Sequence, residues 1–307
     1  MKKFLKHVFL FLAPVAVLLV ACEWALRCIP NDASFREAQL EKHKQTITTL
    51  ILGDSHPYFG INPEYINQQT FNLAAVSETP DLTLKVVKHE INRLPNLKTL
   101  VVGLSYFSLY ESLTEGSEAW RLRHYNIYRS MQVGEFPQNH LEIASFSMLQ
   151  NIDRLLSYYA HDKSEVTCNA FGAGVTYRDF NAKRLRESAV IAAKRHTFDL
   201  QSADVQLQRT IQRKALQNIV SLAAKHNIKV VFVLLPAMDT YRELIPFEQK
   251  QEMLQVVQQL QKINKQLQFL DFSADPRFVP HDFYDADHLN AAGAQKMSSI
   301  LAAWLAN

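Results

Sequence analysis

The feature of this 307-residue sequence that most restricts its fold is a series of short apolar runs separated by longer amphipathic stretches. Runs of four to eight apolar residues are typical of strands buried on both faces of a parallel sheet, and the stretches between them have helical spacing. The runs predict strands at 48–53, 71–74, 97–103, 228–235 and 269–272. We therefore expect an α/β fold, a three-layer doubly wound parallel sheet of about five strands.

The alternation stops in the middle of the chain, between about residues 106 and 203. This stretch is rich in Tyr, Arg and His and contains helical pieces such as 141–159. We expect a mainly helical insertion over the carboxyl ends of the strands, where open α/β sheets bind their ligands. A helical subdomain that serves stability or a partner interface is the alternative.

The N-terminus has the layout of a signal anchor. Lys2, Lys3 and Lys6 precede an uncharged apolar run from Val8 to Cys22, and a basic end of this kind stays in the cytoplasm. We expect a transmembrane helix over 1–30, a membrane-proximal linker over 31–46 and a main domain over 47–307. This predicts a single-pass protein of a bacterial inner membrane whose C-terminal domain lies in the periplasm or otherwise outside the cytoplasm.

A lipidated N-terminus is the alternative form of attachment. Residues 19–22 (LVAC) resemble a bacterial lipobox, which would make Cys22 a lipidated first residue. The uncleaved anchor is favoured because residues 23–29 keep an amphipathic helical pattern, whereas lipoproteins usually continue with a polar tether. Both forms place the domain at a membrane surface.

Composition excludes several classes of function. Lys plus Arg number 33 against 30 Asp plus Glu, a net charge of +3, and they do not form a basic stripe, so nucleic acid is not an expected partner. The 8 glycines form neither GxGxxG nor a P-loop, and no cofactor is expected. Three cysteines are too few for a disulfide framework or a zinc site, although a Cys28–Cys168 bridge stays open.

Two short segments far apart in the chain carry the chemistry. Gly53-Asp54-Ser55-His56 stands where a strand ends and a helix begins, a junction that presents a serine hydroxyl at the sheet edge. A serine nucleophile needs a base, and the base needs an orienting acid. Asp285 and His288, just before the closing helix, supply both. We therefore predict a catalytic triad of Ser55, His288 and Asp285.

Two neighbours of the serine have supporting roles in this prediction. Asp54 is expected to fix the serine turn by hydrogen bonding, and His56 to line the site or to be structural. Tyr241 and Arg242, after the fourth strand, are expected at the surface. A metal site is the alternative interpretation of the carboxylates and imidazoles near the C-terminus, which are His281, Asp282, Asp285, Asp287 and His288. The triad is preferred because it also accounts for Ser55.

The GDSH segment followed by DxxH resembles the first and last sequence blocks of the GDSL/SGNH hydrolase superfamily. Residues 72–79 (NLAAVSET) are similar to the NxGxxGxT block of that family, with Ser77 at the usual oxyanion-hole glycine. Ser105 in 103–106 (GLSY) takes the place of the asparagine of GxND. The resemblance implies that Ser55, Asn72, Ser77 and Ser105 are the candidate oxyanion donors, and losing one such donor typically costs about a hundredfold to a thousandfold in rate.

A membrane-anchored subgroup of that family is the closer resemblance. A single anchor, residues 60–63 (GINP) and residues 71–74 (FNLA) are similar to proteins of bacterial envelope-polysaccharide clusters, related to the teichoic acid D-alanyl transfer protein and the alginate acetylation proteins. The similarity covers about 48–106 and 207–305. It implies a serine esterase or O-acyltransferase acting on envelope polysaccharide, with an envelope glycan, an acyl donor and a multi-pass membrane O-acyltransferase as partners.

Two other functions stay open at this point. One is a catalytically inactive glycan-binding or assembly protein of a polysaccharide biosynthesis system that keeps the fold. The other is a conventional lipase or small-ester hydrolase.

Overall fold

The computed structural model describes residues 1–134 and 136–306, and these form two compact units. Unit 1 comprises residues 1–37 and 117–166, and unit 2 comprises residues 38–116 and the described residues from 167 onward. The domain limits expected from the sequence, 1–30, 31–46 and 47–307 with an insertion at about 106–203, stay a prediction.

The helices of the described residues follow one another along the chain in this order: α1 (Lys2–Arg27), α2 (Asp32–His43), α3 (Ser55–Gly60), α4 (Pro80–Glu90), α5 (Leu122–Tyr128), α6 (Met148–Tyr159), α7 (Ala182–Arg195), α8 (Ala203–Lys225), α9 (Asp239–Arg242), α10 (Phe247–Ile263) and α11 (Ala291–Leu305). Short 3-10 turns lie at Pro63–Tyr65, Ala119–Arg121, Pro137–His140 and Pro280–Asp282.

Unit 2 is built on a five-stranded parallel sheet. Its strands are β1 (Thr49–Leu52), β2 (Thr70–Asn72), β3 (Thr99–Leu104), β4 (Lys229–Leu234) and β5 (Gln268–Asp271), in the order β2-β1-β3-β4-β5. All four neighbouring pairs are parallel. This arrangement confirms the α/β fold class predicted from the alternating apolar runs.

Both faces of this sheet are covered, which explains why its inner strands read as continuous apolar runs. On one face Ile51, Val101 and Val231 pack in a single core cluster with Met297 and Leu301 of α11. Side chains one residue along each strand point the other way; α8 packs against β4 and also contacts α4 and α10. The inner strands are therefore sandwiched between two helical layers.

The outer strand β2 is sealed by a loop. The Asn72 N–H donates to the carbonyl oxygen of Phe171 at 2.9 Å. Gly172 follows with φ +87, and a Cβ there would lie 2.1 Å from the Asn72 carbonyl oxygen. Only glycine therefore lets the loop approach this strand so closely.

Unit 1 contains α1, which is long and apolar enough to cross a membrane, and the most apolar window of this helix has no buried residue. The C-terminal end of α1 is tied to the rest of unit 1 by Glu23, whose carboxylate accepts the N–H groups of Glu142 at 3.1 Å and Ile143 at 2.9 Å. Glu142 is fully buried, and it lies 3.0 Å from both Arg123 and Arg154. The interior of unit 1 thus combines these charged groups with buried apolar side chains such as Leu26, Ile29 and Val133.

Candidate active site

The serine turn is set by the junction between β1 and α3. Gly53 has φ +120, and a Cβ there would lie 2.7 Å from the carbonyl oxygen of Gly103. Asp54 caps α3, because its carboxylate accepts the N–H of His56 at 2.9 Å. Ser55 is thereby the first residue of the helix, where backbone N–H groups have no intrahelical partner. The expected role of Asp54 in fixing this turn agrees with the geometry.

The structure brings the three predicted triad residues together. Ser55 Oγ lies 2.8 Å from His288 Nε2, and His288 Nδ1 lies 3.0 Å from Asp285 Oδ1. Both distances are within hydrogen-bond range. The two segments, 233 residues apart in sequence, meet at the carboxyl edge of the sheet in the order of nucleophile, base and acid. Their catalytic role remains a prediction that this geometry supports.

Asp285 also fixes the loop that carries the histidine. Its Oδ1 accepts the backbone N–H of His288 at 2.8 Å and that of Asp287 at 3.2 Å. One carboxylate oxygen thus orders the tight turn and orients the imidazole. This explains why an aspartate stands three residues before the histidine.

A second carboxylate, that of Asp287, lies beside the His288 imidazole, and it was not assigned to the triad from the sequence. Asp287 Oδ1 is 3.5 Å from His288 Nδ1, and its Oδ2 is 3.6 Å from His56 Nε2. The residue is 1% exposed, and Oδ2 has no hydrogen-bond partner among the described residues. Arg195 Nη2 at 3.7 Å and His196 Nδ1 at 3.8 Å are further positive or polar groups around it. Asp287 is the electrostatic centre of the site.

These carboxylates control the protonation of the predicted base. Burial alone would lower the pKa of His288, but the charges of Asp287 and Asp285 and their hydrogen bonds outweigh it and raise the pKa to about 10. Burial likewise opposes ionisation of Asp287, yet the neighbouring His288 and His56 hold the pKa of Asp287 well below its usual value. The carboxylates therefore favour the charged form of the His288 imidazole, and the neutral form that a base requires is favoured by alkaline pH.

His56 forms a second layer beneath the base. Its ring stacks on the His288 ring with centroids 4.6 Å apart and planes inclined by 7°. Its Nδ1 lies 3.1 Å from Asp54 Oδ1. Burial lowers the pKa of His56, but Asp54 and Asp287 outweigh burial and raise it. The sequence alone predicted only that His56 lines the site or is structural, whereas it links Asp54 to Asp287.

Ser105 belongs to this second layer and does not have a free hydroxyl for an oxyanion. Its Oγ donates to Asp54 Oδ2 at 2.6 Å and lies 3.0 Å from His56 Nδ1. Its backbone N–H donates to Ser108 Oγ at 2.8 Å. The resemblance-based role of Ser105 as an oxyanion donor is therefore replaced by a role in orienting Asp54 and His56.

Asn72 is also committed elsewhere. Its side-chain amide donates to the carbonyl oxygens of Pro57 and Ile61, both at 2.8 Å, and the residue is 0% exposed. An amide has two N–H bonds, so neither remains for an oxyanion. Asn72 joins β2 to α3 instead.

Ser77 occupies the backbone conformation that a glycine would favour. Its φ is +61, in the left-handed region, which is uncommon for residues other than glycine and asparagine. The chain thus keeps the local turn although a serine stands at the glycine position. Ser55 and Ser77 remain the backbone candidates for oxyanion binding.

The metal alternative does not fit the arrangement. Among the described residues the potential ligands that come together are His56, Asp287 and His288. Asp282 instead pairs with Lys296, and the His281 ring stacks on Phe180. Both ring nitrogens of His288 already face Ser55 and Asp285, and the Arg195 guanidinium beside Asp287 would repel a cation.

Aromatic side chains form one wall of the site. Tyr177 stacks between Phe59, with ring centroids 3.8 Å apart, and Tyr284, at 3.9 Å. The Arg184 guanidinium lies 3.6 Å above the outer face of Tyr284. The edge of this stack faces His288, whose ring is nearly perpendicular to Tyr177 at 5.4 Å. Burial and the nearby Asp285 raise the pKa of Tyr177 to about 12.

A further group of buried residues lies behind His56. Phe107 stacks on His196 with centroids 3.9 Å apart, and His196 Nδ1 lies 2.9 Å from the Tyr241 hydroxyl. Tyr241 is 2% exposed, so its expected surface position is wrong. Burial lowers the pKa of His196 to about 3. Neither His196 nor Tyr241 stands in a sequence motif, and only the fold brings them to the site.

Comparison with known proteins adds a loose likeness of fold. No protein-family profile and no curated protein sequence matches the chain. A solved Streptococcus pneumoniae protein described as a platelet activating factor is 11% identical at a TM-score of 0.44, covering 96% of this chain and 98% of its own.

Two Bacteroides structures are similar at the same distance. A B. fragilis protein described as an acylhydrolase is 11% identical at a TM-score of 0.39, covering 87% of this chain and 92% of its own. A GDSL-like lipase from B. thetaiotaomicron is 12% identical at 0.39, covering 89% and 98%. At these values the likenesses assign neither a family nor an activity, and the function is inferred from the site itself.

Proposed function

We propose that this protein is a membrane-anchored serine esterase or O-acyltransferase of GDSL/SGNH type that acts on a cell-envelope polysaccharide. The observation that carries the proposal is the aligned set of Ser55 Oγ, His288 Nε2, His288 Nδ1 and Asp285 Oδ1, with separations of 2.8 Å and 3.0 Å. This set pairs a nucleophile with a base and the base with an acid, which is the arrangement that acyl transfer through a covalent intermediate requires.

The proposed reaction has two halves. In the form with a neutral His288, Ser55 Oγ attacks the acyl carbonyl carbon as its proton passes to His288 Nε2, and the bond to the leaving alcohol breaks as His288 returns that proton to the alcohol oxygen. A sugar hydroxyl or water then attacks the acyl-serine, with His288 again taking and returning the proton. Asp285 holds the imidazole in position throughout and stabilises its positive charge.

The backbone of Ser55 is the donor best placed for the tetrahedral oxyanion. Its N–H lies at the first position of α3, where it points out of the helix start without an intrahelical acceptor. Ser77, in its left-handed turn, is the second candidate. With Ser105 and Asn72 engaged elsewhere, this oxyanion site rests on backbone groups, and we expect a modest turnover.

A fluorophosphonate probe tests the proposal on the detergent-solubilised full chain. The probe reacts only with an activated serine, so the native protein should be labelled and Ser55→Ala should not. Ser299→Ala is the matched control, because Ser299 is an exposed serine whose hydroxyl donates to the Gln295 carbonyl in α11. Labelling that persists in Ser55→Ala, or that is absent from folded native protein at every pH, would contradict the proposal.

Transfer and hydrolysis can be separated with a short acyl ester as donor. An acyltransferase should release the alcohol faster when an envelope polysaccharide is added and should leave ester-linked acyl groups on the glycan. A conventional small-ester hydrolase should release acid at the same rate with or without glycan.

The anchor and the location are part of the same proposal. The apolar helix α1, preceded by lysines, supports a single-pass inner-membrane protein with its α/β unit in the periplasm. In that setting a multi-pass membrane O-acyltransferase would deliver the acyl group from the cytoplasm. Lipidation at Cys22 is the alternative attachment, and mass spectrometry of the N-terminal peptide distinguishes the two.

A catalytically inactive glycan-binding protein is the second candidate function. The observation that favours it is the loss of two side-chain oxyanion donors: the Ser105 hydroxyl donates to Asp54, and the Asn72 amide donates to Pro57 and Ile61. Glycan binding by native protein and Ser55→Ala alike, with no probe labelling of either, would establish this second function.

A further inference from the structure

Helix α6 in unit 1 exposes its apolar side, whereas an ordinary surface helix exposes its polar side. Its apolar residues face outward and are between 44% and 74% exposed; they are Met148, Leu149, Ile152, Leu156 and Tyr159. At 3.6 residues per turn these five side chains fall within an arc of about 100° on one side of the helix. They therefore form a continuous exposed apolar surface, the α6 face.

The inward side of α6 is polar and fully engaged. Asn151, 5% exposed, donates to the Ile143 carbonyl at 3.0 Å. Arg154 lies 2.7 Å from Glu165 and 3.0 Å from Glu142. These contacts fix the rotation of the helix, because turning the α6 face inward would separate Arg154 from the buried Glu142 carboxylate. The exposed apolar face is thus a fixed property of unit 1.

The position of α6 along α1 indicates what covers this face. The Tyr159 hydroxyl at the end of α6 donates to the carbonyl oxygen of Ala25 at 3.0 Å. The uncharged apolar run of α1, from Val8 to Cys22, is about 22 Å long at 1.5 Å per residue. The long side chains of Lys3 and Lys6 before it can extend to the surface of the ~30 Å hydrocarbon layer of a bilayer. Ala25 comes three residues after Cys22, so Tyr159 lies at the depth where α1 would leave the membrane.

Aromatic residues mark the same level. Trp24, one residue before Ala25, is 68% exposed, and Tyr159 is 55% exposed. Exposed Trp and Tyr concentrate at membrane–water interfaces, where their rings are apolar and their N–H and O–H groups remain hydrated. Two such side chains at the end of a membrane-length helix agree with a bilayer surface at this point.

We infer that the α6 face lies in the interfacial layer of a lipid bilayer, next to the exit point of α1, so that unit 1 holds the membrane by two helices. This inference rests on the anchor part of the proposed function and extends it. A single spanning helix can rotate and tilt freely, whereas a second, interfacial helix fixed to it restricts both motions. The α6 face has the length and apolar character of interfacial helices that bury one face at the acyl boundary.

Site-directed fluorescence in vesicles tests the inference with the full chain. The native cysteines are replaced (Cys22→Ala, Cys28→Ala, Cys168→Ala), and single cysteines carrying an environment-sensitive fluorophore are introduced as Leu149→Cys, Leu156→Cys, Gln150→Cys and Leu12→Cys. Vesicles of phosphatidylethanolamine and phosphatidylglycerol contain lipids with a nitroxide quencher. Gln150, an exposed residue on the opposite side of α6, is the matched control, and Leu12 in α1 reports the anchor.

We expect the labels at Leu149 and Leu156 to lose at least about half of their fluorescence to the lipid-borne quencher, and the label at Gln150 to lose little, because only one side of an interfacial helix enters the acyl boundary. Quenching at Leu12 without quenching at Leu149 and Leu156 would overturn the inference and leave the anchor intact. A signal at these positions that is unquenched but changes with protein concentration would overturn it too, and would assign the α6 face to a second copy of the chain.

Absence of quenching at Leu12 as well would contradict the anchor itself, while ester hydrolysis by the same samples still reports independently on the proposed chemistry. A second measurement needs no substitution: photoactivatable lipids should leave adducts on peptides from α1 and from 148–159 of the unmodified chain. Adducts confined to α1 would overturn the inference.

Discussion

The two units of this protein differ in where their apolar side chains and buried charges lie. In unit 2 strand residues such as Leu50, Leu100 and Val231 are fully buried, and a group of buried charged residues lies at the carboxyl edge of the sheet around Asp287. Unit 1 buries Glu142 between Arg123 and Arg154 beside apolar residues such as Leu26 and Val133, whereas leucines of α6 face outward. The comparison indicates that the rotation of a helix can be set by its buried polar contacts. In unit 1 the contacts of Asn151 and Arg154 hold α6 with its apolar side chains exposed.

Buried charge also serves different ends in the two units. Each cluster has one carboxylate oxygen without a hydrogen bond among the described residues, Asp287 Oδ2 and Glu142 Oε2. The neighbours of the two carboxylates differ: Asp287 lies beside the imidazoles of His288 and His56, whereas Glu142 Oε1 accepts hydrogen bonds from Arg123 at 3.0 Å and the Tyr128 hydroxyl at 2.9 Å. We therefore expect the first cluster to affect the pKa of the predicted base and the second to affect stability. The following experiments separate the two, from the largest expected effect to the smallest.

Removing the predicted base should have the largest effect. His288→Gln should lower ester hydrolysis by about ten thousandfold or more, because the serine loses its proton acceptor. The measurement is kcat/KM on a chromogenic short-chain ester. His281→Gln is the matched control, since His281 is exposed and stacks on Phe180 away from Ser55; a comparable loss in that variant would contradict the assignment of His288.

Removing the central charge of unit 1 should affect stability. Glu142→Gln leaves the buried Arg123 guanidinium without this carboxylate, while Arg154 keeps Glu165, and we expect the substitution to lower the free energy of unfolding by about 3–5 kcal/mol. Glu118→Gln, which removes a carboxylate 42% exposed and paired with Arg121, should cost no more than about 1 kcal/mol. Urea denaturation followed by circular dichroism compares the two, and equal midpoints would show that the buried charges do not hold unit 1 together.

The same substitution should have different costs in the two units. Leu100→Ala in β3, 0% exposed, should destabilise the protein by about 2–5 kcal/mol through the cavity it leaves. Leu149→Ala on the α6 face, 74% exposed, should change the free energy of unfolding in detergent by less than about 0.5 kcal/mol. Similar losses for both leucines would mean that the α6 face is an interior surface of the protein.

The pH dependence should show how Asp287 acts on the base. A base works only when deprotonated, so with the pKa of His288 raised to about 10 we expect kcat/KM to rise with pH into the alkaline range. Asp287→Asn removes the carboxylate that does most to raise this pKa and should move the rising limb to lower pH by about 1–3 units. An unshifted profile would show that Asp285 alone sets the pKa.

The same histidine should contribute to stability with a defined sign. Its folded-state pKa is above the ordinary value of 6.5, so its charged form stabilises the fold fully below about pH 6.5, and this contribution disappears as the pH rises through about 10. Thermal unfolding across this range should therefore show a decline that Asp287→Asn reduces.

Most of the sheet was predictable from the sequence because strand signals are local. Apolar runs such as 228–235 identify a buried strand whatever surrounds them, and the five predicted runs correspond to β1–β5. The site was predictable only where two motifs could be paired, Ser55 in one and Asp285 with His288 in the other.

Interactions that depend on the fold could not be read from spacing. Asp287 was visible only as a metal candidate, since its distance to His56 depends on how two loops meet. Tyr177 comes from the middle of the chain and joins the site by stacking between Phe59 and Tyr284. Ser105 and Asn72 were assigned by resemblance, and only their partners in the structure show that their donors are already used. The exposure of the apolar side of α6 could not be predicted from the sequence, because the periodicity of an amphipathic helix does not show which side is buried.

The loop that covers β2 has a consequence for how the protein behaves at high concentration. An outermost strand offers a row of unpaired amides and carbonyls to any other chain with the same tendency, which is a common start of fibrous aggregation. Here the backbone N–H of Asn72 donates to the Phe171 carbonyl oxygen, and Gly172 allows this close contact. On the opposite margin β5 begins and ends with the exposed polar residues Gln268 and Asp271. Crowded copies of the protein are thus kept from joining their sheets edge to edge.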